Sequence, residues 1–572
     1  MKKILLGGPG AGKTTELVKQ TLEAKKSGLN CLLLSYNVRN VQAAQQRAGL
    51  NQRECRSIYS LVLAIYRNIA SARHIPPREL IDEGITRHLA RKALIQAKQN
   101  KFIHFSPNYK MANHLVDLTD RYIHLCNHIP TDATEVTNLM YKAGIRAQYE
   151  YELCRVLPIY IQMVRDEGAI LFSEMLSVVV QTHTRYPTFI ESMTCDLDLL
   201  LVDEVQDLTG LEIQFVFDLI ESSSCDVLLA GDLNQCVTQY RGADTDQLLA
   251  KVEAFEKQQL TQNYRFGSHV AHFSSVFQQH SHNVNCQDNH FTQLKIIHEG
   301  FNTEIPRSKG SHALLTRTKE QSLAYQFLLE AKGDAVSVVD GQYWKQSSIF
   351  LALLGWAVVV TDYDIDKVPY LTAKAMIRAM LYFPYRSAND EVIKVLSAED
   401  PKASIAGLTA ASELGANSLG GLPYFLLKAK QQLSGDCTFS DFLEVIVQNQ
   451  HFQLEVRTHT KPYSTLLHLN ELMKDSIYTL EQFIGLFSAL PTQSINSVEV
   501  MTMHASKGLE FNHVIMAGLH SSCFPLPTET KSEAESLFYV AMTRAINTIQ
   551  FLVPKRGVSC LVSKMIEVGK IA

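Results

Sequence analysis

The chain has 572 residues, of which 46% are apolar and 20% charged, a balance typical of a soluble globular protein with roughly three or four domains or subdomains. A formal net charge of -4 argues against a protein that coats nucleic acid through an overall positive field, but it leaves room for a local basic groove. No apolar run reaches the roughly 18 residues needed to span a bilayer, and the basic start is too short for a secretory signal. We therefore expect a cytoplasmic protein without a membrane partner. The 11 cysteines form no C-x-x-C pair or Cys/His array and so indicate no zinc or iron–sulfur site.

The first motif is a phosphate-binding loop close to the start of the chain. Residues 7–15 (GGPGAGKTT) follow an apolar run and precede a helix-forming segment, the order that this motif requires. Its backbone N–H groups are expected to surround a polyphosphate, while Lys13 reaches the outer phosphates and the Thr14 hydroxyl binds Mg²⁺. We predict that ATP and Mg²⁺ are bound by Gly7, Gly10, Ala11, Gly12, Lys13, Thr14 and Thr15.

A second motif begins at an apolar run that ends in adjacent carboxylates. Residues 199–202 predict a buried parallel strand, and Asp203 and Glu204 follow at its carboxyl end. Asp203 is expected to hold Mg²⁺, directly or through water, and Glu204 to orient and deprotonate the attacking water. The structural alternative is a strand followed by a solvated acidic turn. The preceding phosphate-binding loop disfavours that alternative, because the two motifs complete one reaction centre.

The later motifs resemble those of superfamily 1 helicases of the UvrD/Rep/PcrA type. The similar segments are residues 203–207 (DEVQD) for motif II, 231–243 for motif III, 260–265 (LTQNYR) for motif IV, 313–318 (ALLTRT) for the strand that follows, 500–511 for motif V and 538–545 for motif VI. Their order is that of the family, and they extend over nearly the whole chain.

The resemblance implies an α/β fold with two RecA-like P-loop motor domains, each built on a parallel sheet and interrupted by a mainly helical inserted subdomain. Helical periodicity between the motor segments indicates where the insertions lie. We expect residues 1–69 and 167–262 to form the first motor domain (1A), 70–166 its insertion (1B), 263–367 and 491–572 the second motor domain (2A), and 368–490 a shortened insertion (2B).

The resemblance also assigns catalytic roles outside the phosphate-binding loop. Arg265 and Arg544 are expected to reach the γ-phosphate from the second motor domain, and Gln235 to sense that phosphate and couple it to domain closure. A surface ion pair is the structural alternative for either arginine.

Residues around the nucleoside are assigned in the same way. Tyr264 resembles the aromatic residue that stacks on adenine, with core packing as its structural alternative, and Glu510, which follows Gly508, resembles the carboxylate near the ribose. Family members usually carry an adenine-reading glutamine before the phosphate-binding loop. The sequence has no counterpart of it, and looser discrimination between ATP and other triphosphates is therefore expected.

Single-stranded DNA is expected to cross the tops of both motor domains, where each stacked base contributes roughly 1–3 kcal/mol. By resemblance, the DNA-binding candidates are Asn37 with Arg39 in motif Ia, Tyr59 in motif Ib, Tyr240 and Arg241 in motif III, and His504 in motif V. For Asn37, Tyr59 and His504, ordinary loop or core positions are the alternative. Thr238 stands where the family has a second aromatic residue, which predicts the loss of one stacking position.

Taken together, these features imply an ATP-dependent translocase or helicase that moves 3′ to 5′ on single-stranded DNA or unwinds tailed duplex DNA. An alternative is a DNA-stimulated ATPase that senses DNA within a repair, mobile-element or anti-phage complex, with a nuclease as its protein partner. The shortened 2B region and Thr238 favour that alternative. A signalling or kinase-type P-loop protein is a third hypothesis, against which motifs III, V and VI count.

Overall fold

The computed structural model divides into two compact units. Unit 1 comprises Met1–Tyr264 and Gln279–Asn285, and unit 2 comprises Arg265–Gln278 and Cys286–Ala572. The structure describes the whole chain except residues 37, 106, 108, 128–149, 195, 281–283, 287–291, 302, 304–308, 383–399, 414–420, 434–436, 450–459, 475, 490–496, 528 and 572.

Unit 1 is built on a six-stranded parallel sheet. The described strands of the unit, including three outside that sheet, are β1 (Lys2–Gly7), β2 (Cys31–Ser35), β3 (Cys55–Ser57), β4 (Glu79–Leu80), β5 (Ala169–Ile170), β6 (Leu199–Asp203), β7 (Asp226–Gly231), β8 (Glu256–Leu260) and β9 (Gln262–Asn263). The order in the main sheet is β3-β2-β6-β7-β1-β8, and β4 pairs with β5 in a separate small sheet.

Helices cover the unit 1 sheet. They are α1 (Lys13–Lys26), α2 (Val38–Ala48), α3 (Ile58–Ala72), α4 (Glu83–Gln99), α5 (Tyr109–Cys126), α6 (Glu150–Asp166), α7 (Phe172–Arg185), α8 (Pro187–Thr194), α9 (Gly210–Glu221) and α10 (Thr245–Lys251), with short 3₁₀ turns at Val205–Asp207, Leu233–Gln235 and Gln239–Arg241. Successive strand residues such as Ile4 and Leu5 enter different hydrophobic cores. Because side chains alternate between the faces of a strand, a sheet buried on both faces requires the continuous apolar runs seen in the sequence.

Unit 2 contains a second six-stranded parallel sheet. After β10 (Asn285–Cys286), where the chain changes unit, its strands are β11 (Gln293–His298), β12 (His312–Thr316), β13 (Val336–Val338), β14 (Val498–Thr502), β15 (Phe511–Met516) and β16 (Ala545–Val553), in the order β11-β16-β15-β12-β14-β13. Its helices are α11 (Ser268–Ser275), α12 (Lys319–Ala331), α13 (Ser348–Val360), α14 (Tyr370–Tyr382), α15 (Pro401–Glu413), α16 (Gly421–Gln432), α17 (Phe439–Gln448), α18 (Thr460–Met473), α19 (Leu480–Ser488), α20 (Lys531–Met542) and α21 (Cys560–Ile571), with 3₁₀ turns at Trp344–Gln346 and Ile365–Lys367.

The helices between α12 and β14 share one hydrophobic core with the unit 2 sheet. Phe327 on α12 packs against Phe439 and Phe483, which lie on α17 and α19, with ring centroids 5.3 and 5.7 Å away. The rings of Phe439 and Phe483 stack 4.2 Å apart, and Leu314 of β12 belongs to the same core. Aromatic side chains bury large apolar areas. The described helices in the region expected to form 2B are therefore stabilised by contact with the α/β layer.

The α/β fold with two parallel sheets that the sequence predicts is confirmed. In the region expected to form 1B, the described residues make α4, α5 and α6, and part of that region, residues 128–149, lies outside the description. Within the described part of the chain, every helix is too short or too polar to traverse a lipid bilayer.

Candidate nucleotide and DNA site

The phosphate-binding loop joins β1 to α1 at the carboxyl end of the unit 1 sheet. Gly10 and Gly12 have φ values of 74° and 81°, a conformation that favours glycine because it lacks a Cβ atom. The buried Lys13 ammonium donates hydrogen bonds to the carbonyl oxygens of Gly7 and Gly8 at 2.7 and 3.0 Å. These bonds hold the cation against the loop, at the place where phosphate oxygens are expected to become its partners.

Two more loop residues named from the sequence differ in their surroundings. The Ala11 side chain is buried, and its N–H donates to the Gly8 carbonyl at 3.2 Å, which closes the turn. Thr15 is exposed in the first turn of α1. Its backbone N–H therefore belongs to the helix N-terminus, the part of the motif that favours an anion.

Thr14 and Asp203 meet although 189 residues separate them in the sequence. Thr14 Oγ1 donates to Asp203 Oδ2 at 2.7 Å, and Asp203 ends β6, which is separated from β1 by one strand. Burial, and then the neighbouring Glu204 carboxylate, raise the pKa of Asp203, whereas the Thr14 hydrogen bond and the Lys13 charge lower it. Parallel strands bring these groups together because their carboxyl ends lie at one edge of the sheet.

The oxygen atoms of Thr14 and Asp203 fit Mg²⁺. This hard cation usually binds one or two protein oxygens together with water and substrate phosphates, and its adjacent ligands lie roughly 3 Å apart. The 2.7 Å between Thr14 Oγ1 and Asp203 Oδ2 suits two such neighbouring positions. When bound there, Mg²⁺ would neutralise phosphate charge and keep Asp203 ionised. Among the residues that the structure describes, no group of three or more His, Cys, Asp or Glu side chains suggests another metal site.

A buried amide connects the second acidic residue to motif III. Glu204 has a φ of 56°, which is uncommon for a residue with a side chain and is typical of functional turns. Gln206 Nε2 donates to Glu204 Oε2 at 2.7 Å, and Gln206 Oε1 accepts the Asp232 N–H at 3.0 Å. Asp232 Oδ2 in turn accepts a hydrogen bond from Gln235 Nε2 at 2.6 Å. The close approach needs glycine at position 231, because a Cβ on Gly231 would lie 2.7 Å from Gln206 Oε1.

Tyr264 stands beside the phosphate-binding loop with a relative exposure of 63%. Its N–H donates to the Gly10 carbonyl at 3.0 Å, and its ring lies 3.9 Å from where a Cβ on Gly12 would be. The preceding residue, Asn263, is buried and donates through Nδ2 to the Pro9 carbonyl at 2.9 Å. An exposed aromatic ring anchored through its own backbone to this loop is suited to stack on a nucleobase.

Unit 2 brings its two candidate arginines to one residue, Thr543. Arg265 donates to the Thr543 carbonyl at 3.2 Å and forms an ion pair with Glu510 at 3.0 Å. Arg544 is buried and donates to the Thr543 hydroxyl at 3.2 Å and to the Val540 carbonyl at 2.8 Å. The structure therefore places Arg265, Arg544 and Glu510 in one region of unit 2.

The turn between β14 and β15 carries the other two residues named in motif V. His504 is half-buried, and burial, followed by the nearby charge of Arg317, lowers its pKa to about 4. Its imidazole is consequently neutral near pH 7, so a contact with DNA would depend on hydrogen bonding or stacking. Gly508 has a φ of 79° and lies two residues before Glu510.

The candidate DNA residues of motif III lie in a short turn that contacts neighbouring motifs. The Arg241 guanidinium lies over the Tyr36 ring at 5.3 Å, and burial lowers the pKa of Arg241. The Thr238 hydroxyl donates to Asp207 Oδ1 at 2.8 Å and so connects motif III to motif II. Tyr240 lies in the turn Gln239–Arg241, and its side chain is outside the described part.

Two candidates of motif Ia fall at the limits of the description. Asn37 lies outside the described residues. The backbone of Arg39 lies in α2, and its side chain is not described.

The Tyr59 hydroxyl belongs to a buried polar cluster. It donates to Glu212 Oε1 at 2.8 Å and lies 3.4 Å from His124 Nε2, while His124 Nδ1 lies 2.9 Å from Thr209 Oγ1. The Tyr59 and Phe172 rings pack in a T-shaped arrangement with their centroids 5.5 Å apart. Because the hydroxyl is bonded within the protein, a DNA contact by Tyr59 would have to use its ring.

Three residues with clear positions in the site have no role assigned from the sequence. Gln206 and Asn263 lie inside recognised motifs, but the roles assigned from those motifs belong to their charged and aromatic residues. Phe172 opens α7 with a relative exposure of 48% beside Tyr59. An exposed aromatic residue gives no sequence signal of its own, because its exposure depends on the fold.

Two family models match the chain. The UvrD/REP helicase N-terminal domain matches residues 2–256, and the UvrD-like helicase C-terminal domain matches residues 455–552. A probable DNA helicase II homolog of Mycoplasma genitalium is 23% identical over 521 residues, which cover 82% of this chain and 68% of that protein.

Relatives named ATP-dependent DNA helicase PcrA are similar at the same level. The protein of Bacillus subtilis is 23% identical over 458 residues, covering 69% of this chain and 60% of its own length. That of Staphylococcus aureus is 21% identical over 446 residues, covering 67% of this chain and 58% of its own length. The chain thus spans less than two thirds of the length of these PcrA proteins.

The two family models match in chain order and together cover more than half of the chain. Lys13, Asp203 and Gln235 lie within the first match, and His504 and Arg544 within the second. The chain therefore belongs to the UvrD/Rep family of DNA helicases.

Proposed function

We propose that the chain is an ATP-dependent translocase on single-stranded DNA, which moves 3′ to 5′ and couples Mg-ATP hydrolysis to movement or unwinding. The observation that carries the proposal is the 2.7 Å contact between Thr14 and Asp203, because it unites the phosphate-binding loop and the acidic motif in one reaction centre. The names of the relatives, DNA helicase II and PcrA, support DNA as the partner. The direction of movement is proposed from the family resemblance.

Within this centre, each unit 1 residue has a distinct task. Lys13 binds the outer phosphates, Thr14 and Asp203 hold Mg²⁺, and Glu204 accepts a proton from the attacking water. Gln206 orients the Glu204 carboxylate through the 2.7 Å hydrogen bond. Because Gln206 also bonds the backbone of motif III, a change at the γ-phosphate would reach the base through this amide.

The second motor domain contributes the remaining nucleotide contacts. Arg265 and Arg544 stabilise the charge that develops on the γ-phosphate, a role worth roughly 10³ to 10⁵ in rate in other phosphoryl-transfer enzymes. Glu510, preceded by Gly508, lies near the ribose, and Tyr264 of unit 1 stacks on the base. These roles accompany the four-part organisation proposed above, with 70–166 and 368–490 as the insertions.

The DNA track uses aromatic rings and phosphate-directed polar groups. Tyr240, Arg241 and His504 contact the strand, together with the ring of Tyr59. Phe172 adds an exposed aromatic surface next to Tyr59. Such a track tolerates any base sequence, because every base has a face on which an aromatic ring can stack.

The first experiment measures ATP hydrolysis with and without single-stranded DNA. Lys13→Ala should lower the DNA-stimulated rate by at least roughly 10²-fold, because it removes a preorganised charge from the phosphates. Lys19→Ala is the matched control, since Lys19 lies on the same helix with its side chain 60% exposed, and should keep the wild-type rate. Full activity of Lys13→Ala would refute the phosphate role, and a wild-type rate unaffected by DNA would refute the DNA role.

Salt dependence supplies an independent measurement of the DNA track. If several phosphates are bound, the logarithm of the affinity should fall with the logarithm of salt concentration at roughly -0.7 per contact for a single strand. A flat response would contradict a track that binds phosphates.

A second candidate is a DNA-stimulated ATPase that senses DNA without unwinding it. The observation that favours it is the core shared by the described 2B helices and the unit 2 sheet. A helical insertion held in this way is less suited to engage a duplex as a separate body. Duplexes with 3′ and 5′ tails distinguish the candidates. The helicase opens the 3′-tailed duplex, whereas the sensor hydrolyses ATP and opens neither.

A further inference from the structure

The chain passes from unit 2 to unit 1 between Gln278 and Gln279. On the unit 2 side, the buried Phe277 ring packs edge-on against Phe538 with centroids 4.9 Å apart. Gln278 Nε2 donates to the Tyr539 hydroxyl at 3.4 Å. Both partners lie on α20, the motif VI helix that precedes the second candidate arginine. The unit 2 end of the crossing is thus fixed to that helix.

On the unit 1 side, one buried amide holds the next two residues. Asn234 Oδ1 accepts the N–H groups of Gln279 and His280, both at 2.8 Å, and its Nδ2 donates to the His280 carbonyl at 2.8 Å. Asn234 has a relative exposure of 1%, and its own N–H donates to Asp232 Oδ1 at 3.1 Å. It directly precedes Gln235, the candidate γ-phosphate sensor. The unit 1 end of the crossing is thus fixed to motif III.

The earlier crossing, between Tyr264 and Arg265, follows the same plan. Tyr264 bonds the Gly10 carbonyl of the phosphate-binding loop, and Arg265 bonds the Thr543 carbonyl at the end of motif VI. At these two of the three crossings, consecutive residues are therefore anchored on a nucleotide loop of unit 1 and on the motif VI segment of unit 2. At each of them a single peptide unit, about 3.8 Å between Cα atoms, joins the two anchored residues.

We propose that residues 276–280, the strap, transmit the state of motif III to α20, and that Asn234 is the positioning residue that grips the strap. The inference rests on the proposed ATP- and DNA-dependent activity. Because one peptide unit joins the two anchored residues, the strap offers little slack beyond rotation about its backbone and side-chain bonds. A displacement of Asn234 larger than these rotations absorb must therefore either move α20 or break an anchor, and packed elements tend to move between discrete arrangements.

The test measures the coupling between the two ligands. The affinity for fluorescent single-stranded DNA is determined with and without a non-hydrolysable ATP analogue, and wild type should show a ratio of about 5- to 150-fold. Asn234→Leu keeps the number and branching of the side-chain heavy atoms but removes the three hydrogen bonds to the strap, and should bring the ratio to within about 2-fold of one. Asn234→Asp keeps the two acceptor bonds and should retain an intermediate ratio. A wild-type ratio in Asn234→Leu would overturn the proposal.

A merely structural role would be visible in other readouts. It would lower the melting temperature and weaken nucleotide and DNA binding together without changing the ratio, whereas the strap predicts nucleotide affinity within about 3-fold of wild type. Asn30→Leu is the matched control, because Asn30 Nδ2 donates to the Asp196 carbonyl at 2.9 Å near the opposite end of the unit 1 strands. It should leave the ratio unchanged.

Added slack gives a second test that leaves Asn234 intact. Two glycines inserted between Gln278 and Gln279 should abolish the coupling, even if Asn234→Leu does not fold. The same insertion between Gly28 and Leu29, an exposed turn before β2, should preserve it. Normal coupling in the strap insertion would refute the strap. If DNA fails to stimulate wild-type hydrolysis, the proposed function fails; if it stimulates but wild type shows no coupling ratio, only the strap fails.

Discussion

The two units hold their candidate catalytic charges in different ways. In unit 1, Thr14 bonds Asp203 and Gln206 bonds Glu204, so motif side chains fix one another. In unit 2, Arg265 and Arg544 are held largely by the peptide backbone of motif VI and by Thr543. The two carboxylates of unit 1 thus owe their positions to neighbouring side chains. In unit 2, the contacts that position each arginine also stabilise the fold, and Arg544 contributes more to stability than Arg265 does.

The largest expected effect comes from the arginines. Arg265→Ala and Arg544→Ala should each lower the maximal rate of ATP hydrolysis by roughly 10³-fold or more, because each removes charge from the γ-phosphate transition state. Their stabilities should differ. Arg544 is almost fully buried with several hydrogen bonds, whereas the Arg265 side chain is 15% exposed and pairs with the exposed Glu510. We expect Arg544→Ala to lower the melting temperature by several degrees and Arg265→Ala to change it little.

Arg544→Lys separates the effect of the positive charge from the effect of the hydrogen bonds that the guanidinium makes within unit 2. It keeps the charge but loses the planar group that bonds Val540 and Thr543, so it should recover little of the rate. Equal melting temperatures for Arg265→Ala and Arg544→Ala would break the contrast between the arginines. Unchanged turnover in either would remove that arginine from the mechanism.

The next effect concerns the unit 1 base. Glu204→Gln should lower turnover by roughly 10² to 10⁴-fold while ATP affinity stays within about 3-fold, because general base catalysis is lost and phosphate binding is kept. Gln206→Leu should cause a smaller loss, since the base remains but its orientation is no longer fixed. For both variants, single-turnover hydrolysis gives the rate, and competition with a fluorescent nucleotide gives the ATP affinity. Turnover of Glu204→Gln close to wild type would exclude Glu204 as the base.

Sequence reasoning succeeds where the geometry is set by local spacing. In the phosphate-binding loop, glycines, Lys13 and Thr14 occupy fixed offsets between a strand and a helix, and the structure shows the loop and helix expected from that order. The continuous apolar runs of β1, β6 and β7 likewise predict strands buried on both faces. By contrast, helical periodicity in residues 368–490 indicates helices but not their partner. The packing of Phe439 and Phe483 on Phe327 depends on long-range contacts that periodicity does not encode.

The same distinction explains what sequence alone misses in the site. Gln206 acts through a contact with a backbone N–H that lies 26 residues away, and Asn234 through contacts 45 and 46 residues away. No local pattern predicts such pairs. Tyr59 shows the same dependence on distant partners: its place in motif Ib suggests a DNA contact, and only the structure shows that Glu212, 153 residues later, accepts a hydrogen bond from its hydroxyl inside the protein.

A smaller effect is expected at Tyr264, whose exposure contrasts with the buried Arg544. Tyr264→Ala should raise the dissociation constant for ATP by about 5- to 150-fold, because one stacking contact contributes roughly 1–3 kcal/mol. Tyr264→Phe keeps the ring and should stay within about 2-fold of wild type. Inorganic tripolyphosphate carries no base, so its competition should be equal in all three proteins. A parallel loss of tripolyphosphate binding would show that Tyr264 supports the loop and does not stack on the base.

The buried cluster around Tyr59 contains two groups whose titrations affect stability with opposite signs. Burial lowers the pKa of His124 from 6.5 to about 4, so below pH 6.5 the unfolded chain takes up a proton that the folded chain does not. This proton uptake favours the unfolded chain, so the free energy of unfolding decreases as the pH falls from 6.5 toward 4. Burial raises the pKa of Glu212 from 4.5 to about 7, so its contribution is present at acidic pH and is lost as the pH rises through 7.

When one of the two groups is removed, the pH dependence of the unfolding free energy should reflect the group that remains. From pH 8 to pH 5, His124→Gln should gain about 2 kcal/mol of unfolding free energy relative to wild type, and Glu212→Gln should lose a similar amount. Asp120, whose pKa burial raises to about 6, remains in both variants, so its contribution is common to them. Denaturant unfolding followed by far-UV circular dichroism at both pH values makes the measurement.

A buried tyrosine–glutamate pair in unit 2 tests whether such a pH-dependent contribution to stability is confined to unit 1. There, Tyr325 donates to Glu299 at 2.6 Å, and burial raises the pKa of Glu299 to about 7. Both tryptophans, Trp344 and Trp356, lie in the unit 2 core, so their fluorescence reports on that unit. Glu299→Gln should therefore shift the fluorescence transition with the same sign that Glu212→Gln gives by circular dichroism.

If His124→Gln and Glu212→Gln instead change stability equally at both pH values, neither group changes its protonation on folding, and the cluster stabilises unit 1 through its hydrogen bonds alone.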